Sequence, residues 1–598
     1  MRQINKILIA ILLLASFLRL WNLGGGDTLS DEVLYSFRAI GMLDFDEAAD
    51  QTTPLEWFDP YIPSWTKFSF HDHPPLVFLA QHIFMRMLGE TPFAFRLPSA
   101  LLGIASVYLL YAIGSLLYSE RVGLFAAALF GATVNHVVIS RLGLQESYVI
   151  FFILLSVYFF LKAEKQRKYY ALVGIAVGLA LLTKYTTGIL VPIFLTYLTL
   201  FRRKDFFSRF VWVGAVLTLL IVSPVLYYNY KLYQTVGHFD FQLSYIVGQN
   251  PEIWSVQHGK EEFPTFTSRA SAFLPNMFNF NSWIFLSAFV TNAIIFLVLL
   301  AKKIPPNSCL PAGMSLFLKG GVSPFEKGGS RGILENSNVF LLIVIFWLFV
   351  LIIGVIGPSL RFLAMLTPFM ALWIVRDFPD VPLPENLRKW NIRNFIVIVL
   401  GIFFLFEIAY TINSQLLPYP KGPEVWAWSR VRYENYHHGY EELDVWIRKQ
   451  TDGRMPALAF EPKYHFIEKI HKQSLADDER AGKKPYPALF VYDKNINSIA
   501  QLWILDRLQI YHAWPIITAD TYIKFLNEKG VAYFAKAGFK EIYFIFPTEN
   551  IPWKKQPYLT NIGIKVEQSL TENNFEPYTI LENKRSEPVF RIYRKEMP

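Results

Sequence analysis

Cysteine is nearly absent. The 598-residue chain has one, Cys309, which excludes an intrachain disulfide framework and any Cys-cluster metal site. Charge is also scarce: 18% of residues are Asp, Glu, Lys or Arg, against about 25% in an ordinary soluble domain. Nucleotide and hydrolase signatures are missing. There is no P-loop, no G-x-G-x-x-G after a strand and no H-E-x-x-H, so no ATP site or zincin site has a recognisable seat. No N-x-Ser/Thr sequon occurs either, which fits a bacterial origin.

Apolar side chains are what the chain has in excess. Hydrophobic residues make up 53% and aromatics 17%, spread over many runs, the composition of a polytopic membrane protein. The net charge of +9 would suit nucleic acid, but membrane proteins concentrate Lys and Arg in cytoplasmic loops. Nucleic acid is therefore not an expected partner; membrane lipids are.

Apolar runs fall near 7–23, 96–117, 122–140, 147–163, 169–183, 186–201, 208–227, 281–301, 338–356, 360–375 and 395–413. Arg2 and Lys6 precede the first, no small-residue cleavage site follows, and Arg19-Leu-Trp21 has the look of an interfacial anchor. The expectation is an uncleaved helix with its N-terminus inside. If all eleven runs cross, "SER" (119–121), "KAEKQRK" (162–168), "FRRKDFFSR" (201–209), 302–337 and 376–393 lie inside, and each carries Lys or Arg. The run "PPLVFLAQHIFMRMLG" (74–89) would invert that pattern if it crossed. It holds Gln81, His82 and Arg86, so an amphipathic helix in the outer interface is expected.

The expected fold class is thus mostly α: a transmembrane helical bundle of about eleven crossings, N-in and C-out, over residues 1–413, with a first outer loop at 24–95. Residues 302–337, with "KGG" twice, read as a flexible cytoplasmic insert. Residues 414–598 change character. Strand-like "ALFVYD" (488–493) and "EIYFIFP" (541–547) and helix-like 498–511 and 521–530 predict an extracytoplasmic α/β domain. The expected location is the inner (plasma) membrane, multi-pass.

Polar residues gather at the outer helix ends. The first loop supplies Asp31, Glu32 and "FHDHPP" with His71, Asp72 and His73; other turns supply Arg141, Glu146, Lys184, His238, Asp240 and Arg361. Each has a plainer reading. Arg141 could anchor a helix end, Lys184 could snorkel, and His238 with Asp240 could be a loop pair. His71 and His73 could cap a Pro-initiated helix, and Asp31 and Glu32 could sit at a helix N-terminus. A metal reading draws on His71, His73 and His238, completed by Glu32 or Glu146. "DFD" (44–46) matches a D-x-D pattern but lies on the wrong side for a nucleotide pool.

Carboxylates and cations at an outer membrane surface, with no nucleotide site, suit glycosyl transfer from a lipid-phosphate sugar. A carboxylate takes the acceptor hydroxyl's proton, and cations hold the departing phosphate. Asp31 fits the first role; Lys184, His73 and Arg361 fit the second. The competing expectation is a lipid or solute transporter, or a non-catalytic scaffold, with an accessory domain.

Five stretches occur in order: "SDE" (30–32), "HPPL" (73–76), "FRLPSALLG" (95–103), "GLALLTKYTTGILVP" (178–192) and "RFLAMLTPF" (361–369). In this the chain resembles the GT-C membrane glycosyltransferases, in the group of protein O-mannosyltransferases and lipid A aminoarabinose transferases, over its first two-thirds. The resemblance implies a polyprenyl-phosphate-linked sugar donor and a glycan, lipid or protein acceptor. It implies catalytic Asp31, with Glu32 and Glu146 supporting, and donor-phosphate contacts from His73, Lys184 and Arg361, with Arg141 a further candidate. No cofactor is required; a divalent metal stays open. Two departures stand out. Phe362 replaces the usual Tyr, and Leu34 stands where aminoarabinose transferases carry Arg, which counts against lipid A modification.

Overall fold

The computed structural model describes residues 2–45, 52–254, 263–303, 336–376, 392–431, 437–552 and 560–597. Most of the 302–337 insert with Cys309, most of the basic 376–393 loop, and Asp46 of "DFD" lie outside the described residues.

A helix lies on each of the eleven apolar runs. Among the described residues five are long and apolar enough to cross a membrane, or six if one bent pair counts as a single span. The other runs form shorter apolar helices such as Tyr169–Leu181 and Leu360–Val375. By length and composition alone, then, fewer than eleven qualify. The 13-residue Tyr169–Leu181 rises only about 20 Å. Residues Leu76–Leu88 form another 13-residue helix, too short for a full crossing. Leu79, Ile83 and Met87, four apart, are exposed along one side, while Val77, Phe78, Gln81 and Met85 are buried on the other.

Glycine sets one crossing. A Cβ on Gly174 would sit 2.0 Å from the Gly214 carbonyl oxygen, so Tyr169–Leu181 and Arg209–Val236 approach backbone to backbone, as small residues allow between apolar helices. Thr218 Oγ1 donates across that contact to the Gly174 carbonyl at 2.8 Å.

The bent pair, Glu120–Ala132 and Val134–Arg141, turns by 61° where Thr133 leaves helical geometry. A break of this kind strips carbonyls of their helical partners, and hydrocarbon offers no substitute. Arg19 fills one gap, donating to the Gly131 carbonyl at 2.9 Å and bonding His136 Nδ1 at 2.8 Å. Thr411 fills the next, donating to the Ala132 carbonyl at 2.6 Å. Arg19 is therefore no interfacial anchor, as its place beside Trp21 suggested. It is wholly buried, and Trp21 alone is exposed.

Helix ends collect into two groups. At one, Asp205 holds Arg167 and Tyr170 (both 2.9 Å) and Arg202 (3.0 Å), and Tyr118 bonds Asn338 at 2.9 Å. At the other lie the first loop, the starts of Pro92–Leu117 and Gln145–Ala163, and residues 437–597. There a five-stranded sheet runs Ile516–Thr518, Ala488–Tyr492, Glu541–Pro547, Pro588–Glu596, Thr579–Glu582. The first three strands are parallel and the last two join antiparallel. Its central strands, buried on both faces, read as the continuous apolar runs such a position demands.

This sheet domain is fastened to the helical body by polar clamps. Asp27, from the first loop, receives the backbone N–H groups of His438 (2.5 Å) and Glu441 (2.9 Å), capping Tyr440–Thr451 from a distant part of the chain. Glu90 receives Arg507 Nη1 at 2.8 Å and His512 Nε2 at 2.9 Å. Burial would raise the Glu90 carboxyl, but His512 and Arg507 outweigh it and hold it well below its ordinary value. Its contribution is therefore complete above the ordinary carboxylate range and is lost as pH falls toward the depressed value. Glu90→Gln should loosen the clamp by about 1–3 kcal/mol, read as earlier thermal release and faster proteolysis of the sheet domain. An unchanged melting curve would show that Glu90 does not carry the contact.

Candidate active site

Asp31 immediately precedes the Glu32–Gly41 helix yet makes no side-chain cap, so its carboxylate is free to face elsewhere. It meets Arg361 Nη2 at 2.6 Å. Arg361 comes from the one-turn Leu360–Leu363 helix, which follows a break at Gly357, φ +86°, where a glycine is at home. The pair is open to solvent: the side chains are 38% (Asp31) and 27% (Arg361) exposed.

Beside it lies a second pair. Glu146, in the first turn of Gln145–Ala163, accepts Lys184 Nζ at 2.7 Å. These side chains are 1% and 8% exposed. Lys184 precedes the Tyr185–Ile189 3₁₀ turn in extended conformation, and its ammonium lies 4.7 Å from the centre of the Phe362 ring. Phe362, the departure from the usual Tyr, thus still seats a cation on its face and joins the two pairs through its neighbour Arg361.

Elements around the pairs fix them. Tyr185 donates to Asp240 at 2.6 Å, and Asn229 Nδ2 donates to the same oxygen at 2.8 Å. Asp240 also caps Phe241–Val247 through Leu243 N–H, and Phe241 N–H donates to the His71 carbonyl at 2.7 Å. One buried aspartate thereby ties the turn after Lys184 to the "FHDHPP" segment.

His73 joins the site from that segment. Its Nδ1 lies 3.0 Å from Asp72 Oδ2, its Nε2 lies 3.4 Å from the Tyr35 hydroxyl, and the Tyr35 ring meets it edge-on at 5.1 Å. Arg38 completes the row with a 2.6 Å bond to Asp72. Asp31, Tyr35 and Arg38 occur at i, i+4 and i+7, so they share one helix face. Tyr35 and Arg38 escaped the sequence reading, although this spacing was the signal for both.

Electrostatics separates the acids. Burial would raise the Asp31 carboxyl, but Arg361, then His73 and Lys184, hold it below its ordinary value. Against the same burial, Arg38, His73 and His71 push Asp72 far lower. Burial disfavours charge on His71, yet Asp44 and Asp72 overcome it and raise the imidazole to about 9, so it is protonated at neutral pH.

Several candidates lie elsewhere. Glu32 is fully buried, held two-pronged by Arg96 (2.6 and 3.0 Å) and by the Gly143 N–H (2.7 Å). It points away from Asp31 because neighbours on a helix diverge by about 100°. Arg141 donates to the carbonyls of Leu18 (3.1 Å), Arg19 (3.2 Å), Trp21 (2.8 Å) and Asn22 (3.4 Å), capping the Arg2–Leu20 helix. Here the plain anchoring reading holds, and Arg141 is not at the pairs.

The three histidines do not converge. His71 and His73 lie in a bend rather than on extended chain, so their i, i+2 spacing does not align them on one face: His73 turns toward Tyr35 and His71 toward Asp44 and Trp254. His238 bonds the Phe239 carbonyl and packs edge-on against Trp254 at 4.5 Å. Among the described residues the one metal-sized cluster is Asp44, His71 and Asp72. Both Asp44 oxygens are taken by His71, through N–H and Nδ1 at 2.7 Å each, and Asp72 is held by Arg38. The group neutralises itself and does not fit a cation.

Comparison with known proteins follows this geometry. Residues 72–228 match the sequence profile of the family described as dolichyl-phosphate-mannose-protein mannosyltransferase. Over these residues the chain is PMT-like. The PMT-like segment contains His73, Glu146 and Lys184. "Putative mannosyltransferase YycA" of Bacillus subtilis is 26% identical over 227 residues, 37% of this chain and 31% of that protein. The match thus spans about a third of the length of that curated relative. Among solved structures, ArnT from Cupriavidus metallidurans bound to undecaprenyl phosphate superposes with TM-score 0.48 and 12% identity, covering 98% of this chain and 97% of that one. The Archaeoglobus fulgidus oligosaccharyltransferase gives TM-score 0.46 and 14% identity, covering 90% and 68%.

The two adjacent acids should respond oppositely to amide substitution. Glu32→Gln leaves the Arg96 charge buried against a weakened partner and should cost about 3–5 kcal/mol of stability. Asp31→Asn, at a solvent-open pair, should cost about 0–1 kcal/mol. Thermal melts of the two purified variants give the comparison, and equal losses would contradict the assignment.

Proposed function

We propose that the chain is an integral-membrane, inverting glycosyltransferase that moves a sugar from a polyprenyl-phosphate donor to a glycan, lipid or protein acceptor. The observation that carries this reading is the convergence of two acid–cation pairs, Asp31–Arg361 and Glu146–Lys184, the second of which lies within the PMT-like segment. The family's own description, a dolichyl-phosphate-mannose transferase, supports a lipid-phosphate donor.

The side of action follows from charge. Lys162, Lys165, Arg167, Lys168 and Arg202–Lys204 lie at the Asp205 end of the bundle, and the paired acids with the sheet domain lie at the other. The positive-inside rule places the basic end in the cytoplasm, so the pairs and the sheet domain face outward across the inner membrane.

In this reading the pairs are a resting arrangement. A donor phosphate at headgroup level competes for Arg361 and draws it off Asp31, while Lys184 offers it a charge without leaving Glu146. Asp31, relieved of its guanidinium, becomes the stronger base. It takes the acceptor hydroxyl's proton as that oxygen bonds to the anomeric carbon, and the sugar–phosphate C–O bond breaks on the opposite face. The configuration inverts, and the departing lipid phosphate keeps its charge against Arg361, Lys184 and His73. Glu146 keeps Lys184 in place.

Membranes assayed with a panel of undecaprenyl-phosphate sugars, with products read by mass spectrometry, test the reaction. Asp31→Asn should lower transfer by about 10²–10⁴-fold while undecaprenyl phosphate still binds; full activity in that variant would end the proposal. The exchange of partners makes a separate prediction about pH. Asp31 must be ionised to act, and its carboxyl is depressed in the free protein. Losing Arg361 to the donor raises it, so the acid limb of kcat should lie at higher pH than that of kcat/KM. Coincident limbs would show that Arg361 never leaves Asp31.

A further inference from the structure

The end of the helical body opposite Asp31 carries a second concentration of charge, and two short loops meet there. Residues 164–168 link Gln145–Ala163 to Tyr169–Leu181, and residues 202–208 lead into Arg209–Val236. Asp205 staples them. It is buried, and it accepts Arg167 Nε and the Tyr170 hydroxyl at 2.9 Å each and Arg202 Nε at 3.0 Å. Arg202 Nη2 closes the join on the Glu164 carbonyl at 3.0 Å. The acid is thereby drawn inside and satisfied.

The remaining cations are left outside. Lys165, Lys168, Arg203, Lys204 and Arg209 are exposed, and among the described residues none of them is held by a carboxylate. Phe207 ends the Arg203–Phe207 3₁₀ turn between them and is 91% exposed. Arg209 heads a stripe of Arg209–Val236 on which Trp212, Val216 and Leu220 follow at i+3, i+7 and i+11, one side of a helix. All three are exposed, on a helix long and apolar enough to cross a membrane.

A ligand for this surface is anionic at one end and apolar beyond it. A small soluble anion would use the cations and leave the stripe without a partner. An acidic protein segment or a nucleic acid could not follow the stripe into hydrocarbon, where its own polar groups would go unsatisfied. Membrane orientation asks for less than is built here. Positive charge near the ends of the spans suffices for it, whether or not an acid is withdrawn between two loops and the cations head an exposed apolar face.

We infer that this surface is a binding site for an anionic phospholipid, retained in preference to a zwitterionic one. The headgroup phosphate takes charge-assisted hydrogen bonds from Arg203, Lys204 and Arg209. The acyl chains lie along Trp212, Val216 and Leu220, with Phe207 at the level of the headgroups. Nothing in this assignment uses the transferase reading, since the site lies at the other end of the helices from Asp31 and Arg361.

The test offers the full-length protein in detergent an equimolar mixture of dioleoyl phosphatidylglycerol and dioleoyl phosphatidylcholine, and counts retained lipid by native mass spectrometry. At about fivefold per cation near an anionic headgroup, phosphatidylglycerol should be retained over phosphatidylcholine by at least about tenfold. Arg203→Gln with Lys204→Gln and Arg209→Gln should abolish that preference at an unchanged melting temperature. Lys165→Gln with Lys168→Gln, on the other loop, should diminish it, and this pair decides the matter should the triple variant fail to fold. Lys231→Gln, towards the far end of the same helix, should leave it unaltered. Trp212→Ala should weaken retention of phosphatidylglycerol, and glycerol 3-phosphate should not displace it at equal concentration. Equal retention of the two lipids, or a preference indifferent to both sets of loop substitutions, would overturn the inference. So would a preference that vanishes only with Arg361→Gln, which puts the lipid at the opposite end. Displacement by glycerol 3-phosphate would also overturn it, leaving a site for a soluble anion.

Discussion

A carboxylate close to a bilayer holds its charge only with a cation at contact distance, because the surrounding medium gives poor solvation. The end of the helical body that carries Asp31 is organised by that requirement. Asp31 has Arg361, Glu146 has Lys184, Glu32 has Arg96 and Asp72 has Arg38. Each cation comes from a different element than its acid; Arg38, on the Glu32–Gly41 helix, reaches Asp72 across 34 residues of sequence. Charge pairing therefore does the work of assembling the first loop and several helix ends into one arrangement.

The pairs differ in what surrounds them, and that difference sorts structure from chemistry. Glu32 accepts three donor groups and has no contact with solvent, so it is a fastening. Asp31 has one strong partner and an open side. The same residue type, one position along, serves two ends because a helix turns them apart.

Much of this was readable beforehand. Apolar runs announced the helices because burial in lipid leaves no room for alternation, and the gathering of Asp31, His73, Glu146, Lys184 and Arg361 at one end of the helices followed from placing them all at helix ends on the side away from the basic loops. The central strands 488–492 and 541–547 showed as unbroken apolar stretches for the reason that both faces are covered. What escaped was set by long-range partners. Arg19 resembles a headgroup anchor until a broken helix 112 residues away supplies the Gly131 carbonyl it serves. Arg141 resembles a phosphate ligand until the carbonyls of the first helix claim it. His71 and His73 suggested a shared metal because their i, i+2 spacing would align them on an extended chain, and the bend that turns them apart is held by partners distant in sequence, Asp44 and Tyr35.

The break at Thr133 has a consequence for the helical body as a whole. One of its open carbonyls is satisfied from the Arg2–Leu20 helix, through Arg19, and the next by Thr411 at the end of Ile392–Thr411. The kink is thus a knot that draws together helices 112 and 279 residues away from it in sequence, and loosening either donor would leave a carbonyl facing apolar surroundings.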